Sequence, residues 1–344
     1  MSIARGLKNR GVAISVLFVS EKRKRNLVEG IELQSFRKSV LPNFSLSLLR
    51  FILTDNADRY VFVGPGFVSI LFPWLRHKKI FLIPQWHHSY ITRNVFTRFL
   101  FYLNRFFLDY ALVKKVQPTV ICYTAEERSF LSKFVKNIEV VHLGLDFSRA
   151  VWRFFENSPV QEKSRNFARL LFVGRVVDHK FPLFMLGVLK LFRERFPGSF
   201  VLQVVGPVDP MYFKKLQKKL KNASLDDQVT FVGSVSEEVL ASYYKNADVF
   251  VFPSFSESFG YSILEALYAG LPIVSTRTGI VPYLEKQGLV SGVDYGDAED
   301  MANKIFDSVR NSDVTKRKLF ERRTFLKKEF DIENFLDSLL NIVN

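Results

Sequence analysis

The chain has 344 residues, with 49 Lys and Arg against 34 Asp and Glu and a formal net charge of +15. That length supports two domains with cores of their own, and a hydrophobic content of 48% is too high for a disordered chain. The single cysteine, Cys122, excludes an internal disulfide framework and suits a reducing compartment. No apolar run reaches the roughly 18 residues of a membrane span, and MSIARGLKNRG is too short of apolar residues for a signal peptide. The expectation is a cytoplasmic protein, soluble or peripheral at the cytoplasmic membrane face. The positive charge calls for something anionic: nucleic acid, acidic lipid headgroups or phosphorylated substrates. No nucleic-acid motif accompanies it, so nucleic acid is not an expected partner.

In chain order, residues 2–9 read as a helix and 12–19 as a strand, followed by the basic cluster KRKR at 22–25, read as a solvated loop. Further strands are predicted at 59–63, 79–84, 119–123 and 139–143, with helices near 45–53, 67–75 and 126–136 between them. Alternating strands and helices predict a doubly wound α/β domain. Gln85-Trp86-His87-His88 follows the 79–84 strand and places two histidines at a strand's carboxyl end. Five histidines without metal-ligand spacing argue against a metal site. Residues 93–115 read as a long helix mixing Arg and Lys with Phe. Either a core face or a membrane-surface face fits that mixture.

A charged connector with Pro159, over residues 147–168, separates the halves. The second half opens with a strand at 169–173 ending in Gly174-Arg175, with Lys180 five residues on and Pro182 at a helix start. Strands at 200–206 and 229–232 flank a lysine-rich helix at 211–222, read as a solvated face. Gly233 closes the second of these strands, and Ser234 and Glu237 have capping-box spacing before a helix at 237–246.

The segment VFVFPSFSESFGYSILEALYAGLPIVSTRT, residues 249–278, carries the chemistry. It reads as a buried strand, a polar loop, a helix from about 259 or 260 to 269, a Gly270 stop and another buried strand. Glu257 precedes the helix and Glu265 lies inside it. The first-turn amides around Phe259, Gly260 and Tyr261 form an anion site. In a parallel sheet such a loop lies where ligands bind. Amides for an anion beside carboxylates for hydroxyls suit a nucleotide sugar. A solvated Glu265 and a Glu257 that only complements the helix dipole fit the same spacing.

PSFSESFGYSILEALYAGLPIVST resembles the signature of glycosyltransferase family 4, the retaining GT-B enzymes of group 1 type with an E-x7-E motif. GRVVDHK resembles the family's Arg and Lys element, and HLGLD its exit from the first domain. GLKNRGVAISVLF is similar to its first helix and second strand, so the first strand and Gly-rich loop are expected to be missing after Met1. The resemblance implies an α/β GT-B fold, with two Rossmann-like doubly wound domains facing across a cleft. It places an acceptor-side domain at 1–150, a nucleotide-sugar-binding domain at 165–322 and a helix crossing back at 323–344. It implies a metal-independent hexosyltransferase that moves a sugar from a UDP-sugar or GDP-sugar to a glycan or lipid-linked acceptor. No cofactor is implied beyond that donor, and an anionic membrane surface is a further candidate partner. Arg175, Lys180 and the amides near Gly260 and Tyr261 are expected to hold the diphosphate. Glu265 would take ribose hydroxyls, and the backbone at Gly233 would meet the base. Glu257 would take sugar hydroxyls beside the reacting carbon, with His87, or its neighbour His88, alongside. The alternative is a nucleotide-sugar-binding protein without catalysis.

Overall fold

The computed structural model describes residues 2–13, 15–20, 24–28, 31–37, 54, 56–63, 74, 77–83, 113–147, 152 and 166–344. The chain divides into two compact units, the first from Met1–Trp86, Arg93–Gly144 and Ile332–Asn344, the second built on Leu145–Asp331.

The first unit opens with α1 (Ser2–Asn9), then β1 (Ser15–Ser20), β2 (Lys24–Val28) and β3 (Ile31–Arg37). These strands form one sheet in the order β1-β3-β2, with β1 parallel and β2 antiparallel to β3. The β2–β3 hairpin is absent from the sequence reading, which took Lys24 and Arg25 as loop. A charged edge strand lacks the apolar run that marks a strand locally. A second sheet holds β4 (Arg59–Val63), β5 (Lys79–Ile83), β6 (Thr119–Cys122) and β7 (Ile138–Val140), all parallel and in chain order. Ile80, Leu82, Val120, Cys122, Leu131 and Ile138 form its core. Burial pushes the Cys122 thiol up to about 12 and leaves it inert.

α2 (Ala125–Leu131) starts on a reciprocal cap. Glu127 N donates to Thr124 Oγ1 at 3.2 Å, and the Glu127 carboxylate accepts Tyr123 N at 2.9 Å. Burial outweighs that backbone donor and pushes Glu127 from 4.5 up to about 7.

The second unit holds one six-stranded sheet: β8 (Phe167–Val173), β9 (Ser199–Val205), β10 (Val229–Gly233), β11 (Val249–Phe252), β12 (Ile273–Thr276) and β13 (Ser291–Val293). Its spatial order is β10-β9-β8-β11-β12-β13, parallel throughout. Eight helices alternate with or follow the strands: α3 (Phe184–Arg195), α4 (Pro210–Asn222), α5 (Glu237–Asn246), α6 (Tyr261–Tyr268), α7 (Val281–Lys286), α8 (Ala298–Arg310), α9 (Ser312–Glu321) and α10 (Arg323–Glu329). The central strands read as unbroken apolar runs because a parallel sheet is covered on both faces. Every residue of β11 and β12 is buried. Phenylalanine fills much of this core: Phe172 stacks on Phe252 with ring centroids 5.8 Å apart, and Phe252 on Phe250 at 5.9 Å.

At the strand ends the backbones approach closely. Gly174 N donates to Val205 O and Gly206 N to Gly233 O. At Gly206, with φ +136, a Cβ would stand 2.1 Å from Gly174 O, so only glycine fits. α5 is capped by Ser236, whose hydroxyl accepts Val239 N, not by the expected Ser234. The irregularity between Phe231 and Gly233 in β10 delays the helix start.

Residues 323–331 stay with the second unit, although the sequence reading began the crossing segment at 323. Arg323 Nε donates to Tyr268 O at 2.8 Å, Leu326 and Phe330 are buried, and Leu145 N donates to Phe330 O. The chain leaves at Ile332 as α11 (Ile332–Val343), which joins the first unit. There Arg10 donates to Glu333 and Asp337 at 2.6 and 2.8 Å. Gly6 packs so closely on Leu336 that a Cβ would fall 2.2 Å from its Cδ1.

Leu336→Ala should destabilise the chain by roughly 2–5 kcal/mol, read from denaturant midpoints. Glu127 makes a second test. The folded state holds this proton more tightly than the unfolded chain. The resulting stability is fully present below about pH 4.5 and is lost as pH rises through about 7. Glu127→Gln should keep the cap and flatten that slope in denaturation midpoints measured across the window.

Candidate functional site

The order β10-β9-β8-β11-β12-β13 starts in the middle, runs outward to β10, then returns and runs the other way. The winding reverses between β8 and β11. Loops leaving these two strands diverge to opposite sides and leave a crevice at their carboxyl ends. The β8 loop carries Arg175 and Lys180; the β11 loop carries residues 254–260 and leads into α6.

Direct bonds stitch these loops together. Phe255 N and the Ser254 hydroxyl both donate to His179 O. On the other flank, Glu257 N donates to Thr278 Oγ1 at 2.8 Å and Ile280 N to Phe259 O at 2.8 Å. The result holds Glu257 in place from three directions. Lys180 Nζ lies 3.0 Å from each of its carboxylate oxygens, and Ser254 Oγ donates to Oε1 at 2.8 Å. The Glu257 side chain is only 5% exposed and Lys180 17%, so the pair is sheltered from screening water. Two residues expected to hold different parts of a donor are thus paired with each other. Beside them, burial first and the Lys180 charge second hold the His179 imidazole below its ordinary value, and it stays neutral at pH 7.

α6 begins after Gly260, whose φ of 102 lies in the left-handed region that glycine adopts without strain. No side chain caps this helix. Its first-turn amides and positive dipole end therefore face the strand-end crevice. Phe259 is buried and Tyr261 is exposed, so the chain surfaces abruptly at this turn. Glu265 sits one turn further in and is buried. The Tyr244 hydroxyl, from α5, donates to its Oε2 at 2.9 Å. The geometry is that of an oriented acceptor, not the solvated helix carboxylate the spacing also allowed.

Arg175 is exposed next to Gly174, and Gly233 ends β10 with its carbonyl taken by Gly206 N. His87, His88 and most of the 93–115 segment lie outside the described residues. Among the described residues, no group of three His, Cys, Asp or Glu is placed to hold a metal ion. Ser254, Thr278, Tyr244 and the His179 carbonyl were missed from sequence. Ser254 lies within the motif, three residues before Glu257. Thr278 and Tyr244 each lie 21 residues from the carboxylate-bearing residue they serve, with no local signal.

Together, the sheet order and strand-end loops define a Rossmann-like α/β unit of the GT-B class. Residues 154–324 match the family described as Glycosyl transferases group 1, and through this unit the chain belongs to that family. The D-inositol 3-phosphate glycosyltransferase of Pseudarthrobacter chlorophenolicus is 40% identical over 111 residues, covering 32% of this chain and 26% of the relative. That of Mycolicibacterium smegmatis is 32% identical over 185 residues, covering 49% of this chain and 40% of the relative. The matches therefore span less than half the length of these curated relatives. Among solved structures, sucrose-phosphate synthase from Thermosynechococcus elongatus aligns with a TM-score of 0.73 at 19% identity, over 99% of this chain and 90% of that one. Anabaena HepE in complex with UDP-glucose gives 0.70 at 14% identity, over 96% and 99%. This likeness shows the fold.

Tyr244→Phe should leave the buried Glu265 carboxylate short of one donor and cost about 1–3 kcal/mol in denaturant unfolding. An unchanged midpoint would contradict the bond's role.

Proposed function

We propose that the chain transfers a sugar, with retention, from a nucleotide diphosphate sugar to a glycan or lipid-linked acceptor. The observation that carries this reading is the clustering of Lys180, Glu257 and the uncapped start of α6 on the two loops flanking the sheet's switch point. Relatives named as glycosyltransferases and a neighbour solved with UDP-glucose support it, and favour a UDP-sugar.

In this reading the α6 amides, Lys180 and Arg175 take the diphosphate. Negative charge grows on that leaving group as the glycosidic bond breaks, so donors fixed in advance stabilise the transition state more than the ground state. Lys180 already stands beside Glu257 at 3.0 Å, which keeps its ammonium at the site before ligand arrives. Glu257, held by Ser254 and Thr278, takes hydroxyls of the transferred sugar. Glu265, oriented by Tyr244, takes the ribose hydroxyls. The backbone at Gly233 meets the base, and His87 stands beside the sugar.

Calorimetric titration with UDP, GDP and their common sugars, followed by transfer assays, tests this reading. Arg175→Ala should lower turnover on the order of 10²–10³-fold, by analogy with loss of one oxyanion donor. Glu265→Ala should weaken UDP binding itself. Binding without turnover when lipid-linked and glycan acceptors are supplied would favour a nucleotide-sugar-binding protein. Absence of binding would overturn the site.

A further inference from the structure

Helix α4 has no part in the site above, yet it is the most one-sidedly charged element described. Its sequence PMYFKKLQKKLKN carries five lysines and no carboxylate. Lys214, Lys215, Lys218, Lys219 and Lys221 are all exposed, and none forms an ion pair or side-chain hydrogen bond among the described residues. Leu216 and Leu220 are buried and hold the opposite side against the unit. Met211, Lys214, Lys215 and Lys218 follow i, i+3, i+4, i+7 spacing and so share the outward face. Met211 is 80% exposed at the centre of that face.

This arrangement works against the helix by itself. Lys214 and Lys218, and Lys215 and Lys219, are like-charge pairs at i, i+4, which destabilise a helix. The nearby carboxylates lie at its ends. Asp209 caps the N-terminus through Tyr212 N, and Asp226 and Asp227 are exposed in the short turn after the helix. None of the three is paired with these lysines. An extended anionic surface would relieve all the repulsions together.

We infer that α4 is a docking face for an anionic membrane surface. A row of lysines on a rigid helix matches a plane of phosphate headgroups, and the projecting Met211 thioether can enter the interface between them. Nucleic acid fits less well, because the face has no aromatic ring on which a base could stack. The proposal is independent of the donor reading: it needs neither Glu257 nor Glu265, and it holds even for a chain that transfers nothing.

Co-sedimentation of the full chain with phosphatidylcholine vesicles, with and without phosphatidylglycerol, tests it. Binding should require phosphatidylglycerol and fall with added salt. Lys214→Gln/Lys215→Gln/Lys218→Gln should lower partition on the order of 10²-fold, from the usual gain per lysine near an anionic bilayer. The single Lys218→Gln should lose a smaller part, and Met211→Ser should weaken binding without changing its salt dependence. Lys190→Gln/Lys245→Gln/Lys286→Gln removes the same charge from exposed lysines elsewhere on the second unit and should bind nearly as the parent does. Equal losses in the two triple variants would reduce the effect to net charge and overturn the assignment. So would absence of binding to anionic vesicles, or stronger binding to DNA or polyglutamate than to vesicles.

Discussion

The sheltered contact of Lys180 with Glu257 is the interaction on which the second unit's chemistry depends. These residues lie 77 positions apart and meet only because β8 and β11 are neighbours at the point where the sheet reverses its winding. Charges this sheltered need compensation from several sides. Ser254 supplies a hydroxyl, Thr278 fixes the backbone, and the His179 carbonyl ties the two loops together. The uncapped start of α6 then emerges from a loop that is already rigid. A site assembled this way loses little order when an anion arrives, which is the physical meaning of preorganisation.

The same unit shows how composition serves position. A parallel sheet buried on both faces needs apolar strands without alternation, and much of this one is built from phenylalanine. Close stacking of Phe172, Phe250 and Phe252 sets the β8–β11 spacing from below. Glycine at 206 lets the strand-end backbones approach until only hydrogen bonds separate them. The core thus fixes how far apart the two loops leave the sheet. On the outside, the lysines left over from this packing are unevenly spread, and α4 holds the largest uncompensated share.

What could be read from the sequence follows from how local each feature is. The E-x7-E segment was legible because its strand, turn, helix start and glycine stop are consecutive, and each leaves a local mark. The roles of its carboxylates were less so. Tyr244 reaches Glu265 from a different helix, and Lys180 reaches Glu257 from a different strand; neither contact exists until the sheet order is known. The β2–β3 hairpin was missed for a related reason. Its pairing partner, not its composition, makes Lys24 and Arg25 a strand. The α5 cap moved from Ser234 to Ser236 because the irregularity in β10 sets where the chain can turn. At the C-terminus, the tie from Arg323 to the Tyr268 carbonyl decides where the second unit ends.

The most direct test of this account is a crystal structure of the chain with UDP bound. The account predicts the diphosphate at the carboxyl ends of β8 and β11, against the amides at the start of α6 and within reach of Lys180, with the ribose at Glu265. UDP bound elsewhere, or a diphosphate remote from Lys180 and α6, would contradict it.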